Sequence, residues 1–325
     1  MKRVSLILCG LCFQLSAADV GIGWNASQLS QPVELDTTDE TLTAINHGLQ
    51  LTISEGNWLT GLALAHGSDS KDWQERRRDT NAAIDFVSHE VFFNYYWGNT
   101  TFKTALGASR LDYQYQHVIH KEVLNVNILN RLNKQWYDNE DTFFELGVNY
   151  LFELPAKWHD FSVDIGFSAT NYDTKGQQGL KTENVQVVDN SRVEDYIQAN
   201  NIKLGLIDEQ QFTINESLWL YNLAFNLDYS FTVLEQSALV SLWFENELSS
   251  QQGGSVVATR LRNNNRVIRR EFPLSEVGEQ SEVQNLQSFG ADLNLAISDS
   301  LSMSLSVFDS DQSEPQWQIG AFYWF

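Results

Sequence analysis

Nine charged side chains sit on the polar face of segments whose other face is apolar: Glu90, Lys103, Arg110, Glu145, Asp164, Asp228, Glu245, Glu247 and Asp292. Gathered around a common axis, seven carboxylates and two bases would attract cations and repel anions. The same residues allow a second arrangement, a filled interior in which the acids pair with Lys103, Arg110 or water.

A second group is basic. Arg260, Arg262, Arg266, Arg269 and Arg270 crowd into eleven residues of an otherwise acidic chain. Guanidinium groups match phosphate geometry in two-pronged hydrogen bonds, so these five are candidates for contact with lipopolysaccharide phosphates. A hairpin folding inward to neutralise the acidic interior, or a solvated hairpin balanced by Glu271, Glu276, Glu279 and Glu282, would use the same residues. Arg76, Arg77 and Arg78 stand among Asp69, Asp72, Glu75 and Asp79 and read as a neutral, solvated loop.

The six histidines are His47, His66, His89, His117, His120 and His159. His66 is followed by Gly67, Ser68, Asp69 and Ser70. A catalytic Ser, His and Asp normally come from separate elements so that each can orient the next, which a contiguous run cannot do. His117, His120 and Glu122 lie near the outer rim, where they could act with a partner loop or bind a metal, but two His with one Glu lack a third clear ligand. Solvated loop histidines are the simpler reading. His47 is placed at an outer interface, where an amphipathic ring is at home. No cofactor and no metal are expected.

These residues need elements to hold them. Residues 1–18 read as a cleaved secretory signal: Lys2 and Arg3, an apolar centre over 4–13, then Ser16, Ala17 and Ala18 before Asp19. Cys9 and Cys12 are the chain's 2 cysteines, and both fall inside this segment. Residues 19–325 form a single domain. Their signal is period-two alternation, which specifies strands. The clearest run is Trp219, Tyr221, Leu223, Phe225, Leu227, Tyr229 and Phe231, interleaved with Leu220, Asn222, Ala224, Asn226, Asp228 and Ser230. Twelve strands are expected at 20–27, 44–53, 57–66, 84–97, 100–117, 141–153, 158–172, 212–232, 237–248, 285–298, 300–309 and 315–325. Connections alternate between long (28–43, 67–83, 118–140, 173–211 and 249–284) and short. The segment 256–272, broken by Asn263, Asn264 and Asn265, reads as an extracellular hairpin.

A soluble β-sandwich would also alternate, but it has no reason to sort its loops by length, and its outward face would carry charge. Here the polar face is rich in Gly, Ser, Ala and Asn, which suits a crowded lumen. The 10 Trp, 11 Tyr and 19 Phe suit a lipid face with aromatic girdles. The expected fold is all-β: a closed antiparallel transmembrane β-barrel of about 12 strands, with short periplasmic turns and long extracellular loops. Closure is required because an open sheet edge in lipid leaves backbone groups unpaired. A net charge of −21 excludes a nucleic-acid binder that works through phosphate neutralisation.

The last strand places Trp317, Ile319, Ala321, Tyr323 and Phe325 on one face. A terminal Phe on such a strand resembles the C-terminal assembly signal of bacterial outer-membrane barrels, with Tyr323 and Phe325 as its residues. With the signal segment, strand count and loop asymmetry, the chain resembles the translocator barrels of autotransporters. That resemblance implies a Gram-negative outer-membrane location after signal-peptide cleavage, with membrane lipid, lipopolysaccharide and the barrel assembly machinery as partners. In that family a passenger precedes the barrel and a helix fills the pore. Here Asp19 leads directly into the first strand, so a solitary barrel is expected. Its expected role is a narrow, passive, porin-like and cation-preferring channel, or a structural and surface-interaction barrel of the cell envelope. The competing class is an outer-leaflet lipid-modifying enzyme of lipase or lipid A deacylase type.

Overall fold

A computed structural model describes residues 19–34, 39–75, 77–123, 126–152, 154–155, 158, 160–233, 235–262, 266–273, 285–310 and 313–325. The strands are β1 (Asp19–Glu34), β2 (Asp39–Glu55), β3 (Trp58–Glu75), β4 (Arg78–Trp97), β5 (Thr100–Val123), β6 (Val126–Phe152), β7 (Phe161–Gln186), β8 (Gly205–Val233), β9 (Gln236–Arg262), β10 (Arg266–Pro273), β11 (Asn285–Ala296), β12 (Leu301–Ser310) and β13 (Ser313–Trp324). One helix, α1 (Ser191–Ala199), lies between β7 and β8. Twelve strands close an antiparallel barrel, and β10 is an extra strand paired to the upper part of β9. β13 closes on β1 from Gly21 opposite Trp324 to Ser27 opposite Gln318.

The alternation expected of the wall is present. Leu49, Leu64, Val91, Phe93, Trp97, Leu106, Leu146, Phe167, Leu223, Phe225, Leu242, Phe289, Met303, Leu305 and Val307 all project outward, exposed on the barrel surface. A continuous apolar belt of this kind is unstable in water and is the lipid-facing band of a membrane barrel. Not every aromatic faces lipid. Phe322 lies flat over Gly21, where an added Cβ would come within 2.3 Å of its ring, and Trp243 lies over Gly290 in the same way. These rings fill the interior where neighbouring glycines leave room.

The long connections differ from expectation. They are mostly not loops but continuations of the strands. The β5–β6 ladder runs from Thr100 opposite Tyr150 to Val123 opposite Val126, through most of the segment read as a loop at 118–140. β3 and β4 stay paired up to Glu75 opposite Arg78. Crossing a bilayer takes roughly 9–11 residues of tilted strand. β8 has 29 residues and β9 has 27, whereas β11 has 12 and β12 has 10. The barrel therefore has a tall wall over β4 to β9 and a low wall over β11 to β13. The 256–272 hairpin forms as expected, with Arg262 opposite Arg266.

Candidate functional site

Strand register fixes which charged residues share a face, because directly opposed residues in an antiparallel pair point the same way. Glu90 stands opposite Gly107, Lys103 opposite Gly147, and Glu145 opposite Ala105. All three lie on the face away from Val91, Leu106 and Leu146, and so point into the lumen. Asp164 stands opposite Asn226, whose amide donates to it at 2.6 Å. Asp228 accepts from the Ser162 hydroxyl at 3.3 Å. Asp228, Ser241 and Asp292 occupy one row across β8, β9 and β11. Glu245 and Glu247 alternate with the outward Phe244 and Leu248 and also face inward.

Arg110 is a correction. It stands opposite Val87, which is exposed on the outer face, and it pairs with Asp138 through two hydrogen bonds of 3.0 and 2.9 Å. Lys103 and Arg110 are separated by an odd number of positions, so an unbulged strand puts them on opposite faces. The named lumen charges are thus seven acids and one base.

They form two tiers. Toward the short-turn rim are Asp164, Asp228 and Asp292. Above them lie Glu90, Glu145, Glu245, Glu247 and Lys103. Glu145 is hydrogen-bonded by Ser168 and Glu245 by Asn222, and each lies within electrostatic reach of Lys103. With the Asn149 amide turned to suit its neighbours, its oxygen accepts from Lys103 Nζ at 3.0 Å. One ammonium stands against four carboxyl groups in the upper tier.

No protein-family model matches the chain, and no curated protein matches it in sequence. Solved structures do. The translocator domain of the autotransporter NalP from Neisseria meningitidis superposes with a TM-score of 0.55 at 9% identity, covering 94% of this chain and 88% of that one. The β domain of the Bordetella autotransporter BrkA gives 0.48 at 14% identity, over 94% and 99%. The toluene transporter TodX of Pseudomonas putida gives 0.42 at 10% identity, over 95% and 88%. The chain shares the fold of an autotransporter translocator barrel. At these identities the likeness is one of architecture, and the chemistry rests on this chain's own residues.

Among the described side chains, the arginines and histidines occupy the tall rim and the outer face. A bulge between Ser217 and Leu218 shifts the pairing with β9. Above it Val256 and Ile214 are buried on the inner side, and Arg260 and Arg262 follow on that face. Arg260 is held by both oxygens of Asp208, at 3.0 and 2.5 Å. That pairing pulls the Asp208 carboxyl below the usual range. The side chains of Arg266, Arg269 and Arg270, and of Glu271, Glu276, Glu279 and Glu282, lie outside the described residues, as do Arg76 and His159.

The strand tips hold a polar clip the sequence did not reveal. His120 sits between Asn130 and Asp79, each at 2.8 Å from one ring nitrogen. The bond to Asn130, then the Asp79 carboxylate, raise its pKa above the ordinary 6.5. The Asn127 amide nitrogen also approaches Nδ1, at 3.1 Å, so His120 is fixed within a side-chain network. Arg77 reaches Glu122 at 3.4 Å and ties the start of β4 to β5. His117 bonds the Thr80 hydroxyl at 2.8 Å. His47 stacks on Trp24 at 6.1 Å and faces outward, as expected of an interfacial ring. His66 lies opposite His47, and His89 lies opposite the outward Leu64.

Proposed function

We propose that the barrel is a narrow, passive channel of a Gram-negative outer membrane that prefers cations, with the tall rim outside and the short turns in the periplasm. The observation that carries this reading is the inward set of seven acids and one base. In a low-dielectric tube a fixed negative field lowers the entry cost of a cation and raises that of an anion. The apolar belt would lie among membrane lipid and lipopolysaccharide. The closing strand, ending in Tyr323 and Phe325, would be read by the assembly machinery. Both residues point outward beside the β1 seam, where the Phe325 amide bonds Val20.

The test is conductance in a planar bilayer under a potassium chloride gradient. The expected reversal potential has the sign of cation preference, and Glu145→Gln with Glu245→Gln moves it toward zero. A reversal potential of the opposite sign would overturn the channel reading.

A further inference from the structure

The tall rim contains one element that leaves the wall. β2 pairs with β3 only as far as His47 opposite His66, while β3 continues beside β4 to Glu75. On the other side, β13 holds β1 only as far as Ser27. Beyond those points, among the described residues, the strand partners of 28–34 are 39–45. Their inward residues do not face open water. Leu29, Leu42 and Ala44 are 6%, 0% and 0% exposed, and they pack with Ala82, Ile84 and Phe86 of β4. Trp73, Leu111, Tyr113 and Tyr115 border the same cluster. To reach β4, the hairpin must pass over the inner face of β3.

The crossing point confirms the direction. A Cβ on Gly67 would lie 2.0 Å from Asn46 Oδ1 and 2.9 Å from Asn46 Cα, so the β2 backbone rests on β3 where only glycine fits. In place of a ladder, two side chains of β3 hold the edge. The Asp69 carboxylate accepts from the Thr43 amide at 2.8 Å, and Lys71 Nζ donates to the Thr41 carbonyl at 2.7 Å. The Asn46 amide is 1% exposed, and neither its oxygen nor its nitrogen finds a hydrogen bond among the described residues. Burying an unsatisfied amide penalises the docked position, and the penalty is relieved when the group reaches water.

We propose that the β1–β2 hairpin is a displaceable strap that crosses the tall-rim mouth of the lumen and closes the conduit until it swings outward about Asn46 and Gly67. The inference rests on the channel reading, and it adds the gate. Apolar packing favours the docked state. The missing ladder, the two side-chain tethers and the buried Asn46 amide make release local rather than a breach of the barrel wall.

Ala44→Cys supplies the probe, since Cys9 and Cys12 lie in the first eighteen residues. Reconstituted barrel is treated with a bulky, membrane-impermeant maleimide, alone and with Asp69→Ala and Lys71→Ala. Loss of both tethers is expected to speed labelling at least tenfold and to raise the open fraction in bilayers. Gly67→Val, which pushes Asn46 off β3, is expected to do the same without touching a charge. Labelling that is no faster in either variant overturns the strap. Faster labelling with unchanged conductance overturns its role as a gate and leaves the channel standing. If the unsubstituted protein and all variants are silent, the channel reading fails, and labelling still decides whether the strap moves.

Discussion

Near the short turns β4 shows Val91, Phe93, Tyr95 and Trp97 to lipid, and near its other end the same strand turns Ala82, Ile84 and Phe86 inward. No bulge separates the two stretches. The backbone phase is constant and the apolar phase flips, at Phe86 and Val87. β2 does the same between Ala44 and Ile45, and β8 between Leu220 and Tyr221. In the lower storey the solvent outside is hydrocarbon and the interior is polar. In the upper storey the solvent outside is water, so the hydrophobic effect drives apolar groups toward the axis. One sheet thus serves two solvents, and the flip marks the level at which they meet.

The two storeys should respond oppositely to the same kind of substitution. The largest effect belongs to the upper core: Ile84→Ala should cost about 2–5 kcal/mol, through lost burial and the cavity left behind. Native-state hydrogen exchange should localise the loss to 28–46 and the upper ends of β4 and β5, with the belt unchanged. In the belt, Leu305→Arg, flanked by the outward Leu293 and Ile319, should cost about 2–4 kcal/mol near the bilayer midplane. Ser70→Arg, on the outer face above the flip, should change stability by less than about 0.5 kcal/mol. Equal penalties at 305 and 70, measured by denaturant titration in vesicles, would erase the distinction between storeys.

A smaller effect is expected at the tips. His120 has a folded pKa above 6.5, so its clip is fully formed below that pH and is lost as the pH rises through the folded value. Exchange of the β4–β6 tip amides should accelerate on alkalinisation, and His120→Ala should abolish that dependence. The smallest is Arg260→Ala, which breaks an exposed pair with Asp208 that salt already screens. Only the β8–β9 tip should loosen, and less so at high ionic strength.

Much of the lower storey was legible. Alternation through Trp219 to Phe231, the short turns and the closing strand at 315–325 follow from a pattern with strong contrast, lipid on one face and lumen on the other. The upper ladders were not legible, because both faces of a hairpin above the apolar belt touch water and the contrast fades, as across 118–140. The phase flip was written in Ala82, Ile84, Phe86 and Val87, but it reads as a ragged strand end until the register is known. Arg110 faces outward because an odd number of positions separates it from the inward Lys103 on an unbulged strand. His120 and Asp79 are 41 residues apart, and no local pattern joins them.

By itself the sequence determined the strands, their lipid face and the acidic character of the lumen, because these depend on local period and composition. Tertiary structure alone decided that the loops are ladders, that Arg260 is bound to Asp208, and that Leu29, Leu42 and Ala44 pack on the inner face of β4. Each of these is a contact between distant segments, and its energy depends on which edges the closed barrel leaves without a partner.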